Sequence, residues 1–277
     1  MIRIVILSQP SEYAKSIAVQ ESAWGHGEAS TVPTHLLIAA QKHGGLVLGA
    51  YEKSRMVGIL FGITALENGR PYHYSHITGV SRSYQRKGVG FKLKLAQRRH
   101  LLKRGQELVK WTYDPLQAGN AYFNIHKLGS TCRTYYRNLY GALDDSLNRG
   151  RLTDRFEVEW RIRSRRVRDA LSGYSRIKSP NELIAEGAEP VNRTVEKMAG
   201  IRLPATARLG LRASLLLVEI PSNIVRVRDL SLAAASKWTL HVRRIFETYF
   251  RKGYVATDVF PDRDGRVFYL LESRQRT

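Results

Sequence analysis

A strand-like run, Tyr72 to Val80, meets the segment Ser81-Arg82-Ser83-Tyr84-Gln85-Arg86-Lys87-Gly88-Val89-Gly90, and a basic amphipathic helix follows from Phe91 to Lys103. No other feature limits the fold so strongly. Gly88 and Gly90 carry no Cβ, so the backbone there can turn tightly and come close to a ligand. The first turn of the helix offers N–H groups without helical acceptors and the positive end of the helix dipole. Arg82, Arg86 and Lys87 surround it with positive charge. The arrangement suits a pyrophosphate, and the same glycines also fit a tight turn with no ligand. Two phosphate-binding patterns are excluded. No Lys-Ser or Lys-Thr follows Gly88 or Gly90 as G-x-x-x-x-G-K-[ST] requires. The dinucleotide fingerprint needs three glycines in a parallel βαβ unit, whereas the runs before this loop read as an antiparallel hairpin.

The chain has 277 residues, enough for one large domain or two modest ones. With 43% hydrophobic and 25% charged residues it is a core-forming sequence, not a disordered one. Lys and Arg number 45 against 24 Asp and Glu, a formal charge of +21. A field of that sign attracts nucleic acid, an acidic surface or a polyphosphate cofactor, and a surface of solvated lysines gives the same composition. The single cysteine, Cys132, excludes an internal disulfide and a four-cysteine zinc site and points to a reducing compartment. Apolar runs such as Ala213 to Ile220 are far shorter than the ~20 residues that span a bilayer. Met1 to Leu7 reads as a strand rather than a signal peptide, so a cytoplasmic chain without membrane contact is expected.

Along the chain, Arg3 to Leu7 predicts a strand, Ser11 to Trp24 a helix stopped by Gly25, and Val32 to Ala40 a second helix. Leu46 to Tyr51 and Met56 to Thr64 form a hairpin signature about Glu52-Lys53-Ser54-Arg55. Beyond the basic helix come a strand at Leu108 to Tyr113 and a helix from Ala118 to Leu128 that ends at Gly129. Phe156 to Arg163 alternates apolar and charged residues as a half-buried strand does. Arg165 to Pro190 is basic and broken by glycine and proline, and reads as a connector. The tail predicts a strand at Leu215 to Ile220, a helix capped by Asp229 and running to Lys252, and a hairpin of Tyr254 to Phe260 with Arg266 to Leu271. In that helix the stripe Trp238, Val242, Ile245, Tyr249 belongs to a core.

The hairpin, the spacing V-x-x-x-x-Q-x-x-G-x-G from Val80 to Gly90, the basic helix, the strand Val109 to Tyr113 and the helix ending Lys127-Leu128-Gly129 resemble a GNAT-superfamily acyltransferase over residues 1 to 163. The stretches His76-Ile77-Thr78-Gly79-Val80, Trp111 to Gln117, Asn120-Ala121-Tyr122 and Thr153 to Trp160 are similar to a subgroup of GNAT proteins, some associated with N-acylamino-acid racemases. The resemblance implies an α/β fold of α+β type, with a mixed, mostly antiparallel sheet flanked by helices, in a domain of residues 1–163. Residues 164–199 would then be a basic connector, and 200–277 a smaller α/β element, a degenerate half of the same fold. It implies an acyl-CoA cofactor, acetyl-CoA foremost and succinyl-CoA as the alternative, held by the backbone of Thr78, Gly79 and Val80. The amides of Gln85, Arg86, Lys87, Gly88, Val89 and Gly90 would take the pyrophosphate, and Asn120 the pantetheine chain.

The implied chemistry is attack by the amine of a small molecule, such as an amino acid, on the thioester. The family's leaving-group tyrosine, four residues before the glycine of K-x-G, is replaced here by Ile125, and its asparagine, eleven before, by Ala118. Tyr122, Tyr135, Tyr136 and Tyr140 are then candidate acids, and His76, Glu157, Glu159 and Asp114 candidate bases; Tyr122, Glu157 and His76 lead the two groups. Arg155 is a candidate clamp for an acceptor carboxylate. Lys92, Lys94, Arg98, Arg99 and Lys103 read as a basic face for a CoA phosphate, joined by Arg161 to Arg168 if the partner is nucleic acid. No metal is expected, since Asp144, Asp145 and Asp154 match no ligand loop. His26, His35 and His43 show no paired spacing, and Cys132 reads as a buried thiol. The rival readings are a nucleic-acid-associated protein on a GNAT scaffold and a non-catalytic acyl-CoA sensor. A homodimer is compatible with all three.

Overall fold

The computed structural model describes residues 1–25, 31–141, 150–173, 178–197 and 200–273. These residues form two compact units: Met1–Trp111 with Arg161–Arg163, and the chain from Thr112 onward apart from Arg161–Arg163. The sequence reading places the boundary at residue 163; the division of contacts falls at Trp111.

The first unit is a sheet in the order β1 (Ile2–Ile6), β2 (Leu46–Glu52), β3 (Arg55–Glu67), β4 (Arg70–Val80), β5 (Leu108–Tyr113). The first four strands pair antiparallel, and β5 joins β4 in parallel. Both faces are covered, which is why Leu46 to Tyr51 is buried without a break instead of alternating. On one face α1 (Pro10–Trp24) and α2 (Thr34–Lys42) bury Tyr13, Val19 and Leu37 against Val47, Ile59 and Phe61. On the other, α3 (Val89–Lys103) sets Val89 and Leu93 against Leu48, Ala50, Val57 and Leu60. The β3–β4 register shifts between Phe61↔Ile77 and Ile63↔Tyr74. Two residues of β4, Ser75 and His76, therefore face one of β3, a bulge that re-aims side chains at mid-strand.

In the second unit β6 (Thr131–Tyr136) pairs antiparallel with β7 (Arg155–Arg161) and with β12 (Tyr254–Pro261). Next come β13 (Val267–Ser273) and β11 (Leu215–Ile220), both antiparallel, and the short parallel β8 (Glu189–Pro190). A separate hairpin joins β9 (Asn192–Lys197) to β10 (Ile201–Ala207). The sheets are thus mixed and mostly antiparallel, with helices against them, as expected. The stripe Trp238, Val242, Ile245 and Tyr249 lies wholly inside, on α8 (Leu232–Arg251), and Phe246 meets Phe156 edge-on at 4.7 Å.

Three local expectations need correction. Asp229 caps nothing: Asn223 caps α7 (Ile224–Leu230) and Ser231 caps α8, each side chain accepting from the N–H three residues on. The segment read as a connector holds α5 (Arg165–Ser172), α6 (Pro180–Ala185), β8 and β9. Its helices start from Ser164 and from a Ser179–Glu182 capping box, and are too short for a period to show. The helix toward Gly129 is a single α-turn, α4 (Ala118–Ala121), widened into a π-helix over Tyr122–Lys127.

Candidate functional site

The glycine loop and the end of β4 form one surface in the first unit. Ser81 N–H donates to Val57 O at 3.0 Å, extending the β3–β4 ladder by one residue. Strand alternation then directs the N–H and C=O of Val80 and Thr78 to the opposite edge, and Gly79 toward β3. On that opposite edge β5 pairs with β4 at His73↔Val109 and Tyr74↔Lys110. Beyond this last pair the two strands leave a gap edged by main-chain groups of Thr78 and Val80. Gly79 serves packing, because a Cβ there would stand 2.7 Å from the Trp24 ring.

The chain leaves Val80 through a single 3-10 turn, Arg82–Tyr84, and Gln85 Nε2 donates back to Val80 O at 3.1 Å. Arg86 (φ 61°) and Gly88 (φ 78°) take left-handed conformations that fold the loop over the start of α3. Gly88 is the N-cap and offers no side-chain acceptor, and the first helical bond printed there is Lys92 N–H to Gly88 O, 3.1 Å. The N–H groups of Val89, Gly90 and Phe91 therefore point out of the helix start. Buried Val89 anchors the turn, while Arg86, Lys87 and Gly88 stay exposed. Beside it lies a cleft of about 390 Å³ lined by Ile2, Glu52, Arg55, Tyr84 and Lys87. There the Tyr84 ring lies 6.0 Å from Arg55 and 5.3 Å from Lys87, and its hydroxyl donates to Glu52 at 2.5 Å, which raises the tyrosine pKa. Exposed amides, left-handed backbone and cations together make an anion site.

The inner side of α3 differs from expectation. Lys94, read as part of a solvated basic face, is 2% exposed. Its Nζ donates to Ser75 Oγ (2.9 Å) and Gln97 Oε1 (3.2 Å) and lies 3.9 Å from the centre of the Trp111 ring. Arg98 likewise turns inward, its Nε donating to Ile162 O at 2.8 Å. The reason is helical phase: 94 and 97 follow Leu93 onto the buried side, while Lys92, Arg99 and Lys103 face solvent. Burial brings the Lys94 pKa down to about 7. Next to it His73 is fully buried with neither ring nitrogen bonded. Burial, then the charges of Lys94, His100 and Arg104, lowers its pKa to about 3.

His76 reaches solvent on β4 with its ring edge-on to Phe61, and desolvation lowers its pKa, so it is neutral at physiological pH. The other expected site residues belong to the second unit. Asn120 is exposed on α4. Tyr122 stacks on His126 at 4.8 Å and is kept protonated by partial burial. His126 Nδ1 in turn meets Asp258 Oδ1 at 2.9 Å, a pair the sequence did not suggest because its members lie 132 residues apart. Glu157 sits half-buried on β7 opposite Thr134. Ile125, at the family's tyrosine position, is fully buried.

Other candidates prove structural. Tyr135 donates to Asp154 at 2.6 Å, and burial drives its pKa far up. Asp114 is paired with Arg151 at 2.9 Å, Cys132 is a buried thiol whose pKa burial raises, and Asp154 is held by Arg243. Arg155, expected as an acceptor clamp, is 7% exposed, donates to Asp154 O and lies 5.5 Å from the Tyr140 ring. His26, Asp144 and Asp145 lie outside the described residues.

No family model and no curated protein matches the chain. Among solved structures it is similar to the ribosomal-protein-S18-alanine N-acetyltransferase from Escherichia coli, at 20% identity and TM-score 0.47 over 58% of this chain and 94% of that one. An aminoglycoside 6'-acetyltransferase type Ii is similar at 16% identity and TM-score 0.47, over 59% and 99% of the two chains. An N-acetyltransferase from Staphylococcus aureus Mu50 is similar at 14% identity and TM-score 0.46, over 59% and 99%. What this chain does is therefore argued from its own residues.

Proposed function

We propose that the chain is an acyl-CoA-dependent N-acyltransferase of GNAT type, acting on the amine of a small molecule such as an amino acid, with an acetyl or succinyl donor. One observation carries the reading: the open edge of β4 at Thr78 and Val80 runs directly into a glycine-capped helix start flanked by Arg86 and Lys87. Such a surface suits a ligand with an amide-bearing arm at one end and a pyrophosphate at the other. The exposed amides of Val89 to Phe91 would take the pyrophosphate, and the main chain of Thr78 and Val80 would pair with the pantetheine amides as an added strand does. A bound acyl-CoA supplies the activated thioester.

A β4 N–H aimed at the gap would polarise the thioester carbonyl and stabilise the oxyanion formed when the amine attacks. His76, neutral at physiological pH, is the proposed acceptor of the amine proton, with Glu157 the alternative base. Tyr122, protonated at the same pH, is the proposed acid for the departing thiolate and Asn120 a proposed pantetheine partner.

Calorimetric titration of the nucleic-acid-free protein with CoA and acetyl-CoA tests the loop, comparing wild type with the Gly88→Glu, Gly90→Glu variant. Binding in wild type and its loss in the variant are expected. Absence of binding in wild type, with steeply salt-dependent binding of RNA or DNA instead, would overturn the reading in favour of the charge-driven rival. CoA binding with no thiol release in an amine screen would identify a sensor rather than an enzyme.

A further inference from the structure

The first unit buries a cation without an anion. Among the described residues Lys94 makes no ion pair, although its neighbour on β5, Lys110, takes Glu67 at 2.6 Å. The hydroxyl of Ser75, the amide oxygen of Gln97 and the face of Trp111 satisfy its donors and leave its charge unneutralised. A buried ammonium in that condition costs stability that an apolar side chain would not. Its position gives the cost a use. Ser75 and Trp111 are the residues immediately after Tyr74 and Lys110, the last pair that joins β4 to β5. The ammonium therefore sits at the closed end of the gap whose open end is edged by Thr78, Val80 and the glycine loop. Thr78 is three residues from Ser75, roughly 10 Å along a strand rising ~3.3 Å per residue. That is about the reach of a thioester carbonyl carrying a short diacid chain.

We propose that Lys94 determines donor specificity by pairing with the terminal carboxylate of a dicarboxylic acyl group of the malonyl or succinyl class. The inference rests on the acyl-CoA reading of the same gap. An acyl carboxylate would neutralise the buried ammonium and meet a charge-assisted hydrogen bond in a dry site, where such bonds are strong. A methyl terminus leaves the cation as it stands, so acetyl is the weaker donor group. Trp111 supplies an apolar wall for the methylenes, and Gln97, bonded to Ser75 at 3.0 Å, holds the hydroxyl that orients Nζ. Lys94 thus selects the donor and takes no part in the acyl transfer itself.

The test is calorimetry of the full chain with CoA, acetyl-CoA and succinyl-CoA, on wild type, Lys94→Met and Lys94→Gln. Wild type is expected to bind succinyl-CoA at least tenfold more tightly than acetyl-CoA, and both variants to lose that preference while still binding CoA. Equal or tighter binding of acetyl-CoA by wild type overturns the proposal, as does a preference that survives in a folded variant. The wild-type comparison needs no substitution and decides the matter even if a variant fails to fold. CoA bound without a diacid preference sinks the specificity proposal alone, whereas failure of every CoA species to bind sinks the acyl-CoA reading and this proposal with it.

Discussion

In the second unit the buried carboxylates Asp114, Asp154 and Glu219 each face arginine. Arg151 reaches Asp114 at 2.9 Å, Arg243 grips both oxygens of Asp154 at 2.8 Å, and Glu219 lies between Arg202 at 3.2 Å and Arg266 at 2.5 Å. In the first unit Lys94 and His73 are as deeply buried, yet Lys94 is met by neutral groups and His73 by none. The second arrangement is what a fold needs once charges have been buried: each is matched, and the matches tie together elements far apart in sequence. The first is costly to the fold and cheap to improve, which is the mark of a place kept for a ligand.

Breaking a matched pair should give the largest effect. Arg243→Ala leaves Asp154 with Tyr135 and the Asn138 N–H but no cation, and should cost about 3–5 kcal/mol in denaturant unfolding. Burial pushes the Asp154 pKa up, but Arg243, Tyr135 and Asn138 outweigh it and hold the pKa below its ordinary value. A depressed folded pKa means that the unfolded chain binds the proton first. This stabilisation is therefore complete above the ordinary carboxylate range and lost as pH falls through it. The acid limb of the wild-type stability curve should be steeper than that of the variant, and parallel limbs would remove Asp154 from the account.

The converse change comes next. Lys94→Met replaces an unmatched ammonium by an apolar chain of similar shape and should stabilise by about 1–3 kcal/mol. Between about 7 and its unfolded value of 10.5 the wild-type lysine is neutral when folded and protonated when unfolded. Stability then rises with pH across that window, by up to ~1.4 kcal/mol per unit, and the variant should lack the rise. A destabilised variant would place Lys94 with the matched charges of the second unit and erase the contrast.

Much of this contrast lay outside the reach of sequence, for reasons visible in particular residues. Elements set by local rules were legible: β11 spans the predicted Leu215 to Ile220, α1 stops at Gly25, and the α8 stripe is wholly buried. The loop was legible because its glycines and cations are contiguous. Lys94 was not, since a lysine among Lys92, Arg98 and Arg99 looks solvated until Ser75 and Trp111 supply its surroundings. The His126–Asp258 pair joins a π-helix to β12, and neither a π-turn nor a bulge next to Asp258 has a periodicity to read. The helices of the 164–199 segment begin at serine caps and end within two turns, so composition spoke louder than pattern there.

His73 gives the smallest effect at neutral pH and the sharpest local one in acid. Its pKa falls from 6.5 to about 3 because burial, and then the cations Lys94, His100 and Arg104, disfavour the imidazolium. Below 6.5 the unfolded chain takes up a proton that the folded chain refuses until about 3, so stability contributed at this site declines as pH drops through that window. His73→Leu should change little at pH 7 and flatten the decline, by up to ~1.4 kcal/mol per pH unit. Hydrogen exchange of the amides in β4 and α3 reads this locally, apart from the acid response of Asp154 in the other unit. Exchange in β4 that quickens equally in wild type and variant between pH 6.5 and 5 would show His73 to be hydrated rather than orphaned. A cation at Lys94 would then have a polar neighbour, and the case for a ligand carboxylate there would weaken in proportion.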